Sequence, residues 1–259
     1  MDRAILLDHL EGEVAALLEL AAAPVVSLAA VAPGCAPMTG LDVLHHLGRI
    51  YTGVRGWVTE GRRPTHWPTG PDDPAAAAAW VGSAAHAMID TLLPRRAGSP
   101  AATWCPYDRT SGFWFRRMAH ETAVHRVDVQ QALGRPWRLD PDLATDGIAE
   151  AIEVWLGIRL AAPPTGTGRT VLLSTHERDW RIRPLADCID FPTAGPADAT
   201  VGGDAAAVWA WVWGRSDDSA PVTITGDPTA ADELHRLFAT ATACPPPGVA
   251  VALPGRDAV

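Results

Sequence analysis

The segment from Ser111 to Asp128 concentrates ionisable residues at a spacing that could support metal chemistry. Its His120-Glu121 pair followed by His125 is close to the HExxH zinc motif, but the second histidine comes one residue too late. On a helix, His120 and His125 diverge by about 140°, whereas Glu121 and His125, four residues apart, share a face. A metal bound by this segment would therefore be bound by Glu121 and His125.

The helix face that contains Glu121 and His125 interleaves apolar and ionisable residues. Trp114, Arg117 and Asp128 lie on the same face at helical spacing. A core face does not contain Glu, His and Asp unless something compensates for their desolvation. A bound cation would compensate, and so would a structural ion pair with Arg117. The pattern leaves both interpretations open.

A second predicted helix, about residues 40–60, contains the adjacent histidines His45 and His46. Its apolar residues define an arc of about 140° when they are placed at 100° steps. His46 falls at the edge of this arc, while His45 projects away from it and is predicted to be solvated. His46 is therefore the inward candidate, with a hydrogen-bonded packing histidine as the alternative.

His46, Glu121 and His125 would together form a His₂Glu set whose open coordination position is typical of catalytic zinc. Asp128, one turn after His125, would either orient a ligand imidazole or act as a fourth ligand. Arg117 would either bind an anionic substrate group or neutralise Asp128 or Glu121. This hypothesis requires the His46 imidazole to lie within about 7 Å of the Glu121–His125 pair.

The elements that must position these residues are predicted to be helices separated by loops rich in Pro and Gly. Thr39 and Ser111 are suitable caps, and Pro74 can open a helix. The absence of a strand pattern over the first 160 residues predicts a helical bundle. The predicted helices are 3–22, about 40–60, 74 to before 94, 111–133 and about 145–161.

After a plausible linker at 163–166 the pattern changes to short alternating strands. We expect a hairpin over 170–175 and 179–183, then a strand at 198–202, a helix at 204–214, a strand at 222–225 and a helix at 228–239. The fold class is thus α plus α+β. The predicted domains are a metal-binding helical bundle (1–163), a small α+β domain (168–245) and an irregular tail (246–259).

Composition narrows the function classes. The chain has 259 residues and a net charge of −9, and all 21 basic residues are Arg. An acidic chain without a basic patch argues against nucleic acid and anionic membranes as partners. The four cysteines form no CxxC pair, so neither a disulfide scaffold nor a cysteine-rich zinc module is expected. No signal-peptide pattern begins the chain, and Glu19 and Pro24 interrupt its most apolar stretch. We expect a soluble cytoplasmic protein, a monomer or small homo-oligomer, that acts on a small molecule.

Two motifs resemble the mycothiol-dependent maleylpyruvate isomerase family of the DinB/YfiT-like metalloenzyme superfamily. They are Leu41-Asp-Val-Leu-His-His-Leu-Gly48 and Arg116-Arg-Met-Ala-His-Glu-Thr-Ala-Val-His-Arg-Val-Asp128, with weaker matches at 211–215 and 223–227. The resemblance implies a DinB-like four-helix bundle followed by an α+β domain similar to sterol-carrier folds.

The same resemblance implies a divalent metal, usually zinc, bound by His46, Glu121 and His125, with the thiol mycothiol in its open position. An Arg of the second domain helps to form the cleft in this family, and Arg215 is the candidate, both for catalysis and for thiol binding. Trp114, on the metal-facing stripe, would wall the cleft. Arg117 and Asp128 complete the predicted catalytic set.

A metal-bound thiol is deprotonated at neutral pH and is then a ready nucleophile. Addition to a cis alkene, rotation and elimination would give isomerisation, whereas release of the adduct would give thiol transfer. One alternative keeps the metal without the thiol, as a hydrolase or biosynthetic enzyme. Another is a non-catalytic small-molecule binder, which predicts Arg117 paired directly with Glu121.

Overall fold

The computed structural model of the protein describes residues 1–22, 25–160, 165–217 and 221–243. Within these ranges the chain forms helices first and a small sheet later, as the sequence predicts. A 3₁₀ turn (Pro33–Cys35) and a π-helical segment (Ala151–Arg159) accompany the regular elements. The helices are α1 (Arg3–Ala21), α2 (Val25–Leu28), α3 (Gly40–Glu60), α4 (Pro74–Leu92), α5 (Ser111–Ala132), α6 (Pro141–Glu150), α7 (Ala205–Trp213) and α8 (Pro228–Ala241); the strands are β1 (Val171–Ser174), β2 (Asp179–Pro184), β3 (Ile189–Asp190), β4 (Ala199–Gly202) and β5 (Thr223–Gly226).

The long helices α1, α3, α4 and α5 form the predicted bundle. α5 packs against both α1 and α3, and α3 also packs against α4. The enclosure of α5 extends to charged positions, because Arg126 is buried and pairs with Glu13 of α1. Ionisable residues of α5 therefore face other helices instead of water.

Local sequence signals account for where these helices begin. The Thr39 hydroxyl accepts a hydrogen bond from the Asp42 backbone N–H, and the Asp42 carboxylate accepts one from the Thr39 backbone N–H. This reciprocal capping box starts α3 and satisfies two otherwise unpaired donors. α4 starts at Pro74 as predicted, because proline fits the first helical position. The cap of α5 is Thr110, one residue before the predicted Ser111.

Two glycines of α3 allow tryptophan rings to pack directly against the helix backbone. A Cβ atom at Gly48 would overlap the ring of Trp80, which belongs to α4. A Cβ atom at Gly53 would overlap the ring of Trp67, which lies in the segment between α3 and α4. Any larger side chain at either position must therefore displace a tryptophan.

The segment 61–73 is also fixed to α3 through a histidine. His45 Nε2 lies 2.8 Å from the backbone oxygen of Pro71. His45 is consequently half-buried, and the prediction that it would be solvated is wrong. His45 lies off the apolar arc as predicted, but the segment that contains Pro71 covers this side of α3.

The second unit is built on a five-stranded sheet with strand order β3-β2-β1-β4-β5. β1 and β2 form the predicted antiparallel hairpin, with Leu172 opposite Arg181. β1 pairs in parallel with β4, and β4 pairs antiparallel with β5. β3 extends the sheet beyond β2 and was not predicted from the sequence. The fold class, α plus α+β, is confirmed.

Alternate residues of the strands and the tryptophans of α7 make up the core of this unit. Leu173 and Val201 are buried, and α8 packs against β1, β4 and β5. Trp209 and Trp213 are also buried, and the indole N–H of Trp213 donates to the Gly147 oxygen of α6 at 3.2 Å. These tryptophans therefore pack in the core of this unit.

The chain divides into compact units between Trp137 and Arg138. α6 and the π-helical segment therefore group with the sheet, whereas the sequence places them in a bundle domain that ends at residue 163. Packing explains the grouping, since α6 contacts α7 and the Trp155 ring meets the Trp213 ring at 5.7 Å. An amphipathic pattern identifies a helix but not the unit that buries it.

Several expectations fall outside the described residues. The first two residues of the predicted linker, the C-terminal end of the predicted α+β domain and the whole tail from 246 to 259 are among them. In the part that is described, no helix is both long and apolar enough to cross a membrane.

Candidate metal centre

Side chains from α3 and α5 converge at one point of the bundle. His46 Nε2 lies 3.0 Å from Glu121 Oε1, and His125 Nε2 lies 3.5 Å from the same oxygen. His46 comes from α3, while Glu121 and His125 lie four residues apart on α5 and so share a face. The structure thus brings the three predicted ligands together, well inside the limit of about 7 Å set by zinc–ligand reach.

The chemistry and spacing of these donors fit a divalent cation. The three donor atoms all lie within 4.8 Å of one another. Tetrahedral zinc with bonds of about 2.0–2.1 Å places neighbouring ligand atoms about 3.3 Å apart. The nitrogen–oxygen separations of 3.0 and 3.5 Å bracket that value. Two imidazole nitrogens and one carboxylate oxygen also form a donor set of catalytic zinc sites.

Arg117 pairs with the other oxygen of Glu121. Its Nη2 donates to Glu121 Oε2 at 3.1 Å. This is the ion pair that a purely structural network would contain, but it leaves Oε1 facing His46 and His125. Ion pairing and cation binding therefore use different oxygens of Glu121 and are compatible. Two roles were left open for Arg117, and the observed ion pair corresponds to the one in which it neutralises Glu121.

Asp128 contacts the opposite edge of the His125 ring. His125 Nδ1 lies 2.8 Å from Asp128 Oδ2, while His125 Nε2 faces Glu121. A hydrogen bond at Nδ1 fixes the ring orientation and keeps the lone pair on Nε2. The geometry therefore matches a carboxylate that orients the imidazole more closely than a fourth ligand beside Glu121.

Cys35 also lies beside Asp128 and His125, and it was not predicted from the sequence. Its Sγ lies 3.0 Å from Asp128 Oδ2 and 3.9 Å from His125 Nδ1. Cys35, His125 and Asp128 are buried and lie within 4.8 Å of one another, but Cys35 is disulfide-bonded and therefore does not offer a free thiol to a metal. Cys35 ends a 3₁₀ turn 93 residues before Asp128, so no local pattern in the sequence connects them.

The protonation states of Glu121 and His46 favour cation binding, whereas that of His125 opposes it. Burial is the largest influence on Glu121 and raises its pKa, but contacts with His125, His46 and Arg117 hold that pKa well below its usual range. Burial lowers the pKa of His46, so this imidazole is neutral at pH 7. Burial also opposes charge on His125, yet its hydrogen bonds to Asp128 and Glu121 raise its pKa to about 9. A cation must therefore displace a proton from His125.

Among the described residues, the side chains of the centre differ in exposure. The side chains of His46 and Glu121 are 14% and 12% exposed, whereas those of His125 and Arg117 are 6% and 3% exposed. The partly exposed edge of the candidate centre is thus formed by His46 and Glu121. Asp128 is completely buried behind His125.

The remaining predicted site residues lie elsewhere. Trp114 is buried on α5, and its indole N–H donates to the Ala102 backbone oxygen at 2.8 Å. Arg215 follows α7 in the second unit, is buried and donates to the Trp213 backbone oxygen. The roles predicted for Trp114 and Arg215 stay predictions. His120 is buried and outside the donor set, as its helical angle predicts.

Comparison with known proteins supports the resemblance drawn from the motifs. Residues 7–130 match the family model of the mycothiol maleylpyruvate isomerase N-terminal domain. This segment includes all three predicted ligands, and the resemblance is thereby confirmed for the N-terminal domain. A search of curated proteins found no match.

Solved structures show the same overall fold. The crystal structure of a mycothiol-dependent maleylpyruvate isomerase is 14% identical, with a TM-score of 0.56 over 87% of this chain and 93% of that one. A variant of that enzyme with one histidine replaced by alanine gives a TM-score of 0.58 at the same identity and coverage. The match with an SCP2 ubiquinone synthesis protein, UbiJ, is 18% identical and covers 41% of this chain and 96% of that one, with a TM-score of 0.28.

Proposed function

We propose that this chain, whose residues 7–130 match the mycothiol maleylpyruvate isomerase N-terminal domain, is a metal-dependent enzyme that uses a small thiol. The proposal rests on one observation above all. Two separate helices direct His46, Glu121 and His125 at one point with the spacing of metal ligands. The proposed thiol is mycothiol, the proposed location is the cytoplasm, and the partners are small molecules.

His46, Glu121 and His125 would bind the cation, and zinc is the proposed ion because the donor set is His₂Glu. A cation at this position would lower the pKa of a coordinated thiol, so that a thiolate is available at neutral pH. Asp128 keeps His125 in the tautomer with a lone pair on Nε2. Arg117 holds Glu121 Oε2 and so turns Oε1 toward the histidines.

The proposed reaction is cis–trans isomerisation of an electrophilic alkene by reversible thiol addition, with thiol transfer as the other outcome of the same site. The open side at His46 and Glu121 gives the reactants access, while buried Asp128 and Arg117 keep the ligands oriented. We further propose that Arg215 contributes to catalysis and thiol binding and that Trp114 walls the cleft, as the family resemblance and the position of Trp114 suggest.

The decisive experiment combines metal analysis with a thiol-dependent assay on the full chain. Protein purified without chelator should contain close to one equivalent of zinc and isomerise maleylpyruvate only when mycothiol is added. Neighbouring histidines provide the matched variants. His46→Gln should lose both zinc and activity, whereas His45→Gln should keep both, because His45 contacts only a loop oxygen among the polar groups described.

Two results would contradict the proposal. Less than about a tenth of an equivalent of any divalent ion, with unchanged ligand binding in Glu121→Ala, would leave the structural-network alternative. Turnover without any thiol would instead favour the hydrolase or biosynthetic alternative.

A further inference from the structure

An arginine of α3 lies beside the exposed edge of the candidate metal centre. Arg49 follows His46 by three residues, which places both side chains about 60° apart on the helix. Neighbours at this spacing lie close together on a helix surface. Arg49 and His46 are both partly exposed, and Arg49 is close enough for its charge to act on His46.

The Arg49 guanidinium is available for a ligand. Within the described ranges it forms no hydrogen bond, ion pair or ring contact, in contrast to Arg117, which is committed to Glu121. The positive charge of Arg49 nevertheless acts on His46. Burial is the main cause that lowers the pKa of His46, and the positive charge of Arg49 lowers it further.

Formal charges show why a second cation is useful at this opening. With neutral histidines, Glu121 and Asp128 against Arg117 leave one negative charge, which a divalent cation converts to one positive charge. A thiolate neutralises that charge. A second reactant that also bears a carboxylate would then find no compensation inside the centre, and a guanidinium pairs with carboxylates in a bidentate manner.

We propose that Arg49 binds a carboxylate of the electrophilic substrate at the open edge of the centre, and thereby selects anionic substrates. This inference rests on the proposed function for the identity of the reaction. It replaces Arg117 with Arg49 as the anion-binding residue, because Arg117 is buried and paired. The thiol is not a ligand of Arg49 in this proposal.

The test uses zinc-loaded full-length protein and maleate, a small cis dicarboxylate, without thiol. In isothermal titration, Arg49→Gln should raise the Kd of maleate about tenfold, as expected for loss of a charge-assisted hydrogen bond. Arg49→Lys should restore most of the affinity, because it keeps the charge. The control Arg55→Gln removes an equal charge from an exposed position on the same helix and should leave the Kd unchanged.

A kinetic comparison gives a second readout. Arg49→Gln should raise KM for maleylpyruvate about tenfold while KM for mycothiol, kcat and zinc content stay within about twofold. The neutral dimethyl ester of maleate should show no difference between Arg49→Gln and the unaltered protein.

The proposed function and this inference can fail separately. Unaltered maleate affinity in Arg49→Gln, or no maleate binding to the unaltered protein, would overturn the role of Arg49 even if thiol-dependent turnover is observed. Maleate binding that depends on Arg49 in a protein without thiol-dependent turnover would retain the role of Arg49 and overturn the proposed reaction.

Discussion

Two ion-paired clusters, one in the bundle and one in the sheet unit, differ in how far their side chains are exposed to water. In the bundle, Arg117 and Glu121 are paired with side chains only 3% and 12% exposed. In the sheet unit, Arg169 and Asp227 are paired with side chains 30% and 36% exposed, at the surface beside α8. The sheet unit places tryptophans such as Trp209 in its core, while the bundle places ionisable groups at the contact between α3 and α5.

The buried pair lies at the candidate metal centre, whereas the exposed pair lies at the protein surface. Desolvated groups interact strongly, and removing one partner leaves an uncompensated charge. Exposed pairs are screened by water and contribute little. Substitutions of the same chemical kind should therefore have very different consequences in the two units, and the following predictions test that difference in order of expected size.

The largest effect is expected from Glu121→Gln. This change removes the negative charge of the carboxylate that both His46 and His125 contact. It also removes the acidic partner with which Arg117 is paired. Zinc affinity should fall more than about a hundredfold, since even residues that only orient a ligand typically contribute ten- to hundredfold. The measurement is competition with a chromophoric chelator. Glu177→Gln, at an exposed turn of the sheet unit, is the control, and equal zinc affinity in both variants would refute the contrast.

Acidification should have the next largest effect on the bundle. Because the pKa of His125 in the metal-free site is raised to about 9, zinc must displace its proton at any lower pH. Zinc affinity should rise about tenfold per pH unit between pH 6.5 and 8.5, with about one proton released per zinc. Titration in buffers of different ionisation enthalpy measures the proton count. Affinity that does not change over this range would contradict the role of His125.

In the metal-free protein, stability should change with pH in the opposite direction to zinc affinity. A folded-state pKa raised above the unfolded value contributes stability that is complete below about pH 6.5 and is lost as pH rises through about 9. The free energy of unfolding of the chelator-treated protein should therefore decrease over that interval. Zinc-loaded protein should lack this decrease.

A smaller effect is expected from Asp128→Asn. The change keeps the shape of the side chain but weakens its hydrogen bond with His125 Nδ1. Zinc affinity should fall about tenfold, toward the lower end for residues that orient a ligand. Asp232→Asn on the exposed side of α8 is the matched control. A loss as large as that of Glu121→Gln would instead identify Asp128 as a direct ligand.

The smallest effect is expected from Glu233→Gln in the sheet unit. Glu233 pairs with Arg169 and accepts a hydrogen bond from the Thr167 backbone N–H. Glu233 is 13% exposed, but its partner Arg169 is 30% exposed, against 3% for Arg117 in the bundle. Because water screens the Arg169 charge, Tm should change by no more than about 3 °C, and zinc affinity should not change. Differential scanning calorimetry with and without zinc measures both. A Tm decrease of about 10 °C would show that the surface network is structurally essential.

Helix starts and the shared face of Glu121 and His125 could be predicted because both depend on short-range geometry. Thr39 and Pro74 begin their helices through contacts within one turn. His46 could be identified because it lies at the edge of an apolar arc, where a side chain points into the bundle without joining its core. The local pattern is sufficient wherever the helix itself sets the direction of a side chain.

Other features depend on contacts that no local pattern encodes. Cys35 reaches Asp128 across 93 positions of sequence, and β3 is too short to show alternation. The role of Arg117 depends on which oxygen of Glu121 it contacts, and residue spacing does not distinguish the two. No local pattern marks Arg49, because the role proposed for it depends on its position beside His46.

The glycines of α3 have a consequence for how related chains should vary. Gly48 and Gly53 accommodate Trp80 and Trp67, so each glycine and its tryptophan form one steric unit. We expect the members of each pair to change together during evolution, with a bulkier helix residue accompanied by a smaller partner. A relative with alanine at the position of Gly48 and an unchanged indole opposite would require a different spacing between α3 and α4.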